Sequence, residues 1–397
     1  MSTSSAGTKQ RLSNGRVFDG EQLHMDRDVV VEGGRITALI ARPDTAYADH
    51  ETIDLQGHLL APGLIDLQVN GGGGVLFNAA PRIDSLQAIG AAHRQFGTTA
   101  FLATVITDHD TVMQQAIAAV ERAIAERVPG VIGIHLEGPH LNSGFRGVHD
   151  EARMRELDEP SLARICSLQG GRTLLTLAPE TVDTDMISRL VASDIVVCAG
   201  HSSADYAATR QALDAGLNGF THLFNAMTGM QSREPGMVGA ALEDETSFFG
   251  IIADGYHVHP AMFAVAVAAK ATGKAVLVSD AMPSVGSTSK NFDLFGVPVR
   301  AEDGRCVTPE GRLAGSDIGL ISAVRNACRF ARIDQYEALR MASTYAAQAI
   351  RLDNELGYIR PGYRANLIEL DDTLDVRRSW IDGERLNHVA GTAGAEM

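Results

Sequence analysis

Three residues of types that bind metal ions well each follow an apolar run of the sequence. Glu137 ends the run in "HLEGPH", and His201 and His222 end the runs in "CAGHSSA" and "FTHLFNA". Two imidazoles and one carboxylate are a common ligand set for a catalytic zinc ion, and they leave one position open for water. The sequence therefore predicts a site for one divalent cation, if the fold brings the three residues together.

A fourth residue, Asp280 in "LVSDAMP", could move protons at such a site. A carboxylate beside a metal-activated water can accept its proton and pass it to a leaving group. An aspartate at the end of a strand can instead cap a turn. We predict the catalytic role, because Asp280 would face the three ligands. His135 would share the face of Glu137, but we expect it to be a packed core histidine.

The elements that would position these residues alternate along the middle of the chain. Between the apolar runs lie segments with apolar residues at helical spacing, such as "DSLQAIGAAHRQFG". This alternation predicts a (β/α)8 barrel over residues 59–356, with a doubly wound open sheet as the alternative. The eight runs, near-continuously apolar as expected of buried parallel strands, are "LIDLQVN", "TAFLATVIT", "VIGIHLEG", "TLLTLAPE", "IVVCAGH", "GFTHLFNA", "FFGIIADG" and "AVLVSDAM".

Both ends of the chain are rich in short extended runs, such as "DVVVEGGRITALIA" and "GYRANLIELD". Glycine and proline turn signals separate these runs. We predict one small β-sandwich domain formed by residues 1–58 and 357–397. In a barrel the carboxyl ends of the strands meet at one mouth, where such enzymes do chemistry. The four residues above would therefore converge there.

The composition excludes several classes of partner. The 397-residue chain has a formal net charge of -15, which argues against nucleic acid and anionic membranes. No run is long enough to cross a bilayer, and the first 15 residues lack the apolar core of a signal peptide. We expect a cytoplasmic protein with reduced thiols, because no C-x-x-C spacing occurs among the four cysteines. They are Cys166, Cys198, Cys306 and Cys328.

A series of motifs resembles the N-acetylglucosamine-6-phosphate deacetylases of the amidohydrolase superfamily. They are "PGLIDLQVNGGGG", "HLEGPHLNSGFRGVHD", "AGHSSA", "THLFNAM", "REPGMVGAAL", "DGYHVHP", "VSDAMP" and "LAGSDIGLISAVRN", and they span most of the chain. The resemblance implies a metal-dependent hydrolase that converts N-acetylglucosamine 6-phosphate to glucosamine 6-phosphate and acetate. Hydrolysis of another N-acetylated sugar phosphate, such as N-acetylgalactosamine 6-phosphate, or of a cyclic amide is the alternative.

The first strand differs from that of many amidohydrolases, which carry H-x-H there and bind a second metal ion. This chain has Gln68 and Asn70 at those positions, and an amide is a weaker ligand than imidazole for a transition ion. The resemblance therefore implies one divalent ion per subunit, Zn first and Fe, Mn or Co as alternatives. Its ligands would be Glu137, His201 and His222, with the two amides beside them as hydrogen-bonding groups.

The resemblance also implies how the substrate is held. His149 would polarise the acetyl carbonyl together with the metal ion. Arg233 would bind the phosphate of a substrate in the neighbouring subunit, so a homodimer is expected. Further substrate contacts are implied for Val148, Asn225, Ala226, His257, Leu313, Ala314 and Gly315.

Some loops depart from the family pattern. Tyr256 stands where an aliphatic residue is expected, and Phe145 and Arg146 replace lysines. These departures leave the epimer of the sugar open.

We expect Gly71–Gly74 to form a mobile lid, because they fit no phosphate-binding loop. Two other classes of protein stay open: an Fe(II) oxygenase, which can use the same ligands, and a sugar-phosphate binder without activity.

Overall fold

A computed structural model describes residues 9–388, and the structural statements below refer to that part of the chain. Its centre is a sheet of eight parallel strands, each paired with the next along the chain. The sheet nearly closes into a barrel, which confirms the predicted fold. The strands are β1 (Leu64–Val69), β2 (Thr98–Ile106), β3 (Val131–Glu137), β4 (Arg172–Leu177), β5 (Val196–Ala199), β6 (Gly219–Phe220), β7 (Phe248–Ile252) and β8 (Ala275–Val278).

Burial explains why these runs form strands. Every residue of β1, β2 and β3 is buried, as expected where helices cover one face and the barrel core the other. The first and last strands meet through a parallel bridge between Val69 and Ala281. Below it, the buried carboxylate of Asp66 accepts a hydrogen bond of 3.2 Å from the backbone N–H of Ser279. The bridge and this contact join the two edges of the sheet.

Helices follow most of the strands and pack around the barrel. Several begin where an aspartate accepts a hydrogen bond from the backbone of the first turn, as Asp158, Asp183 and Asp205 do. The helices are α1 (Ile83–Arg94), α2 (Asp110–Ala125), α3 (Glu159–Ile165), α4 (Thr184–Ala192), α5 (Tyr206–Asp214), α6 (Gly236–Glu243), α7 (Pro260–Ala269), α8 (Leu320–Ala331), α9 (Gln335–Ala342) and α10 (Thr344–Ala349). Three single-turn 3-10 helices span Ser143–Phe145, Glu151–Arg153 and Pro179–Thr181. None of the helices in the described part of the chain has the length and apolar character of a membrane span.

Two sheets built from both chain ends pack as the predicted sandwich. Their shared core includes Leu12, Val29, Leu60 and Trp380. One sheet contains the strands Gln10–Ser13, Arg27–Glu32, Arg35–Ala41 and Glu51–Asp54, and the other contains Arg16–Phe18, Leu23–His24, Leu59–Pro62, Leu367–Leu370, Val376–Ile381 and Glu384–Asn387.

The limits of this sandwich differ slightly from the predicted division of the chain. The strand Leu59–Pro62 pairs with Arg16–Phe18 and with Leu367–Leu370, so it lies in the end sheet and not in the barrel. We therefore propose a domain boundary at Gly63 instead of after residue 58. The predicted outermost parts of this domain, residues 1–8 and 389–397, lie outside the described residues.

A small antiparallel sheet after β8 was not expected from the sequence. Its four strands are Asn291–Leu294, Val297–Glu302, Arg305–Val307 and Leu313–Ser316. Its inner side chains form a separate apolar cluster over the barrel mouth, with members that include Leu294, Val299, Cys306 and Ala314. We call residues 291–316 the roof sheet. A hairpin of two short strands, Gly71–Gly72 and Val75–Leu76, lies beside it.

Trp380 offers a test of how the two chain ends are held together. Its side chain is fully buried, and its indole N–H donates a hydrogen bond of 3.0 Å to Oε1 of Gln10. Trp380→Ala should lower the free energy of unfolding by about 3–5 kcal/mol, because it leaves a cavity. Trp380→Phe, which mainly removes the hydrogen bond, should lower it by about 1–3 kcal/mol. Urea unfolding of both variants measures the difference, and equal losses would contradict the packing role.

Candidate metal centre and active site

The three predicted ligands meet at the barrel mouth. Glu137 is the last residue of β3, and its Oε1 lies 3.0 Å from Nε2 of His201 and 2.9 Å from Nε2 of His222. The two ring nitrogens are only 3.1 Å apart. All three residues are buried, and their donor atoms lie within 4.8 Å of one another. The strand ends thus bring three residues that are far apart in sequence to one point.

The donor set fits a divalent cation. Two imidazole nitrogens turned toward the same carboxylate oxygen at these distances offer lone pairs to a common position, and the residue types are those of catalytic zinc sites. Burial disfavours a charged carboxylate, but the adjacent imidazoles of His201 and His222 outweigh it and hold the pKa of Glu137 well below its usual value. Glu137 is therefore a carboxylate ready to bind a cation.

The two amides of β1 hold the two carboxylates of the site. Nε2 of Gln68 donates a hydrogen bond of 3.1 Å to Oε2 of Glu137, the oxygen that does not face the histidines. Nδ2 of Asn70 donates a hydrogen bond of 2.7 Å to Oδ1 of Asp280. Side chains two residues apart lie on the same face of a strand, so one strand can orient both carboxylates.

Asp280 follows β8 and has the properties of a proton acceptor. Burial, together with the negative charge of Glu137, raises the pKa of Asp280 to about 6. Its Oδ1 is occupied by the amide of Asn70. Oδ2 is the oxygen that can take up a proton during a reaction. A carboxylate with a pKa near neutrality is well suited to general acid–base work.

His149 is held as a neutral hydrogen-bond donor. Burial and the neighbouring His201 lower the pKa of His149 to about 3. Its Nδ1 accepts hydrogen bonds from the hydroxyl of Thr107, at 2.8 Å, and from the backbone N–H of the same residue, at 3.4 Å. A backbone N–H can only donate, so the ring hydrogen must sit on Nε2. That atom lies 3.9 Å from Oε1 of Glu137, at the edge of the cluster.

The backbone is strained at three residues of the site. His201, His222 and Asp280 all have positive φ angles, of 49°, 32° and 52°. Residues with a side chain rarely adopt this left-handed conformation, and each such residue costs on the order of 1 kcal/mol. The sharp turn it produces at the end of a strand lets the side chain point into the mouth. Such strain is concentrated at functional sites and is supported by the surrounding barrel.

A cavity of about 180 Å³ opens over the cluster. It gathers most of the residues that the sequence and the resemblance singled out. Those that line it are Asn70, Glu137, Val148, His149, His201, His222, Asn225, Ala226, His257, Asp280, Leu313, Ala314 and Gly315. Gln68 lies just behind this lining. His135 is buried away from it and donates or accepts a hydrogen bond of 2.7 Å with Oγ1 of Thr176, as a core histidine would.

Arg233 and Gly71–Gly74 do not line the cavity of this chain, and only the result for the glycines differs from an expectation. Arg233 is exposed and is not among the lining residues of the cavity. Gly71–Gly74 do not form a loose lid: Gly71 and Gly72 are buried in the hairpin, and the N–H groups of Gly73 and Gly74 each donate 2.8 Å hydrogen bonds to the loop after Asp280. Glycine is required at position 71 because a Cβ at Gly71 would lie 2.4 Å from the carbonyl oxygen of Val75.

The residues that sequence analysis missed are mainly apolar. Leu294 comes from the roof sheet, Gly147 comes from the loop between β3 and β4, and the others lie at or just after strand ends. Apolar residues in such runs carry no signal that separates cavity lining from core, so only the polar positions beside them attracted attention. The missed lining residues are Ile106, Gly147, Ile252, Met282 and Leu294.

Paired histidines and a carboxylate at the carboxyl ends of barrel strands, faced by an aspartate, place this protein among the barrel hydrolases. The chain belongs to the amidohydrolase family, whose family model matches residues 59–394. Members of this family are generally metal-dependent, in agreement with the cluster of Glu137, His201 and His222. The protein is thus a hydrolase that acts on an amide carbon–nitrogen bond.

Its relatives within the family are amino-sugar phosphate deacetylases. The chain is 45% identical to an N-acetylgalactosamine-6-phosphate deacetylase from Shewanella sp. (strain ANA-3), over 85% of this chain and 86% of the relative. It is 35% identical to an N-acetylglucosamine-6-phosphate deacetylase from Vibrio furnissii, over 95% of both chains. The crystal structure of N-acetylglucosamine-6-phosphate deacetylase from Pasteurella multocida superposes with a TM-score of 0.92 at 32% identity, covering 96% of this chain and 100% of that one.

Metal content tests the ligand cluster. Glu137→Gln keeps the shape of the side chain but removes its charge, so we expect metal binding to weaken by at least about tenfold. Asp280→Asn is the matched control, because it removes a neighbouring buried carboxylate that is not among the three clustered donors. Elemental analysis after dialysis should find the ion in the wild type and in the control only. An equal loss in both variants would contradict the assignment of the ligands.

Proposed function

We propose that this protein removes the acetyl group from N-acetylglucosamine 6-phosphate, giving glucosamine 6-phosphate and acetate. The observation that carries this proposal is the placement of Asp280 opposite the cluster of Glu137, His201 and His222 in one cavity. A relative from Mycobacterium smegmatis, 29% identical and superposing with a TM-score of 0.87 over 96% of this chain and 99% of that one, was solved as a variant in complex with N-acetyl-D-glucosamine-6-phosphate.

In the proposed hydrolysis, a divalent cation, Asp280 and His149 have separate roles. A divalent cation held by the three ligands would supply Lewis acidity toward the acetyl carbonyl and toward a water molecule. Asp280 accepts the proton of the attacking water through Oδ2, while Asn70 holds its other oxygen. The Nε2–H of His149 donates to the carbonyl oxygen as negative charge develops on it. Asp280 then returns the proton to the departing amine, so the acid and the base are the same residue.

The remaining parts of the proposal concern the substrate and the assembly. Val148 and the roof residues Leu313, Ala314 and Gly315 would enclose the N-acetyl group and the sugar. Asn225, Ala226 and His257 would contact the sugar phosphate. Arg233 would complete the site of the other subunit in a homodimer; its exposure on this chain is compatible with that role.

We propose zinc as the ion, because zinc suits two imidazoles and a carboxylate. We also propose a cytoplasmic location, because the four cysteines are free thiols.

N-acetylgalactosamine 6-phosphate is the second candidate substrate. The relative at 45% identity carries that name, whereas the N-acetylglucosamine-6-phosphate deacetylases named above are 29–35% identical. The two sugars differ only in the configuration of one hydroxyl, and both would present the same acetamide to Asp280. Comparing kcat/KM for the two epimers decides between the candidates.

Asp280→Asn tests the proposed mechanism. The variant keeps the hydrogen bond from Asn70, but it cannot accept a proton, so kcat should fall by at least about a hundredfold. Acetate release from both epimers, followed at saturating substrate, provides the measurement, and metal content serves as the control for site integrity. Normal kcat in a fully metal-loaded variant would show that another group is the base.

Hybrid dimers test the role of Arg233. Arg233→Ala should raise KM for the phosphorylated substrate by about 10- to 100-fold, because a charge-assisted hydrogen bond is lost. Subunits with Arg233→Ala, co-expressed with subunits carrying Asp280→Asn, should form hybrids in which one site has both residues. Activity above that of either parent variant is the expected result. Hybrids without recovered activity would exclude a contribution from the partner subunit.

A further inference from the structure

We propose that Glu180 is a positioning residue that fixes the loop carrying His149, the proposed donor to the acetyl carbonyl oxygen. This inference rests on the proposed function, since it concerns how that carbonyl is polarised. Glu180 follows β4 and lies in the 3-10 helix Pro179–Thr181. In the described part of the chain, β4 is the only barrel strand whose carboxyl end adds no residue to the lining of the cavity.

Both carboxylate oxygens of Glu180 are engaged by neighbouring loops. Oε1 accepts hydrogen bonds from the backbone N–H of Ser203, at 2.6 Å, and from its hydroxyl, at 3.0 Å. The same oxygen accepts a hydrogen bond of 3.0 Å from Nδ2 of Asn142. Oε2 accepts a hydrogen bond from the hydroxyl of Ser202, which is fully buried. One carboxylate therefore joins the turn after β5 to the loop after β3.

Asn142 transmits this contact to residues 142–149, the loop that carries His149. Oδ1 of Asn142 accepts a hydrogen bond of 2.8 Å from the backbone N–H of Gly144 and so caps the 3-10 helix Ser143–Phe145. His149 follows this helix closely, and its backbone N–H donates a hydrogen bond of 3.0 Å to the carbonyl oxygen of the residue three positions earlier. The conformation that presents His149 thus begins at the side chain that Glu180 holds.

His201 makes a second connection to the same loop, through backbone groups. Its carbonyl oxygen accepts a hydrogen bond of 2.9 Å from the backbone N–H of Asn142, and its Nδ1 donates one of 2.8 Å to the carbonyl oxygen of Phe145. A carbonyl oxygen can only accept, so Nε2 of His201 keeps its lone pair for a cation. Neither contact uses the carboxylate of Glu180. Loss of that carboxylate should therefore displace His149 and leave the metal ligands in place.

A purely stabilising role for Glu180 predicts something different. The residue is exposed, and substitutions of exposed residues usually have small effects. If Glu180 only stabilised the fold, Glu180→Ala would lower the unfolding temperature, and the folded enzyme would keep its kcat. Glu180→Gln separates shape from charge, because its amide oxygen can still accept hydrogen bonds from Ser203 and Asn142.

The experiment measures kcat and KM for the phosphorylated substrate in Glu180→Ala, His149→Asn and the double variant. Glu180→Ala should lower kcat by about tenfold, because a displaced donor stabilises the developing negative charge less well. Once His149 is replaced, the same substitution should change kcat by less than about twofold. An unchanged kcat in Glu180→Ala, or effects that multiply in the double variant, would overturn the proposal.

Two control variants isolate the contact. Glu180→Gln should keep kcat within about twofold of the wild type, and a loss equal to that of Glu180→Ala would contradict the positioning role. Asp183→Ala is the matched variant, because Oδ1 of Asp183 accepts a hydrogen bond of 2.9 Å from the backbone N–H of Asp185 in the same connection but caps only α4. Its kcat should be unchanged.

Two further readouts do not depend on activity. Glu180→Ala should retain its metal ion, and loss of the ion would show that Glu180 acts through His201 instead. Trypsin should cleave the native protein after Arg146 faster in Glu180→Ala than in the wild type or Asp183→Ala, and equal rates would contradict the proposal. Failure of the wild type to hydrolyse any N-acetylhexosamine 6-phosphate would overturn the proposed function, and the trypsin measurement would still test the hold of Glu180 on the loop.

Discussion

The structure depends on one shared carboxylate oxygen. Oε1 of Glu137 faces Nε2 of both His201 and His222, while Oε2 is fixed by Gln68. Four strands of one barrel must close in register for these contacts to form, because each residue comes from a different strand end. The geometry of the site therefore depends on closure of the barrel. The same closure holds the strained backbone at the two histidines.

Much of this could be predicted from sequence because the signals were strong and repeated. Eight apolar runs with polar residues at their ends indicated both the barrel and the mouth, and the Q-x-N pair on the first strand predicted hydrogen-bonding amides beside the metal ligands. The exact partners could not be predicted. That Gln68 pairs with Glu137 and Asn70 with Asp280 depends on how β1 lies between β2 and β8, which periodicity along one strand does not encode.

The roof sheet shows where sequence reasoning fails. Its strands are three to six residues long, and the alternation of polar and apolar residues in Asn291–Leu294 covers only four positions, the shortest run that indicates a strand. Its small core forms only because the barrel mouth supplies Leu76, Ile106 and Met282 as partners. The glycines of the hairpin were interpreted as a mobile lid because of their composition. A Cβ at Gly71 would lie 2.4 Å from the carbonyl oxygen of Val75 and one at Gly72 2.9 Å from the ring of His93, so close packing requires glycine at both positions.

The roof sheet and the barrel contribute different parts of the cavity. The residues that would bind the ion, Glu137, His201 and His222, all lie on the barrel, whereas Leu294 and Leu313–Gly315 reach the same cavity from one continuous stretch of about 25 residues. Substitutions of Leu294 or Leu313 can therefore change the shape of the cavity without changing any of those three ligands. The part of the chain that shapes the upper wall of the cavity is thus separate in sequence from the part that would hold the ion.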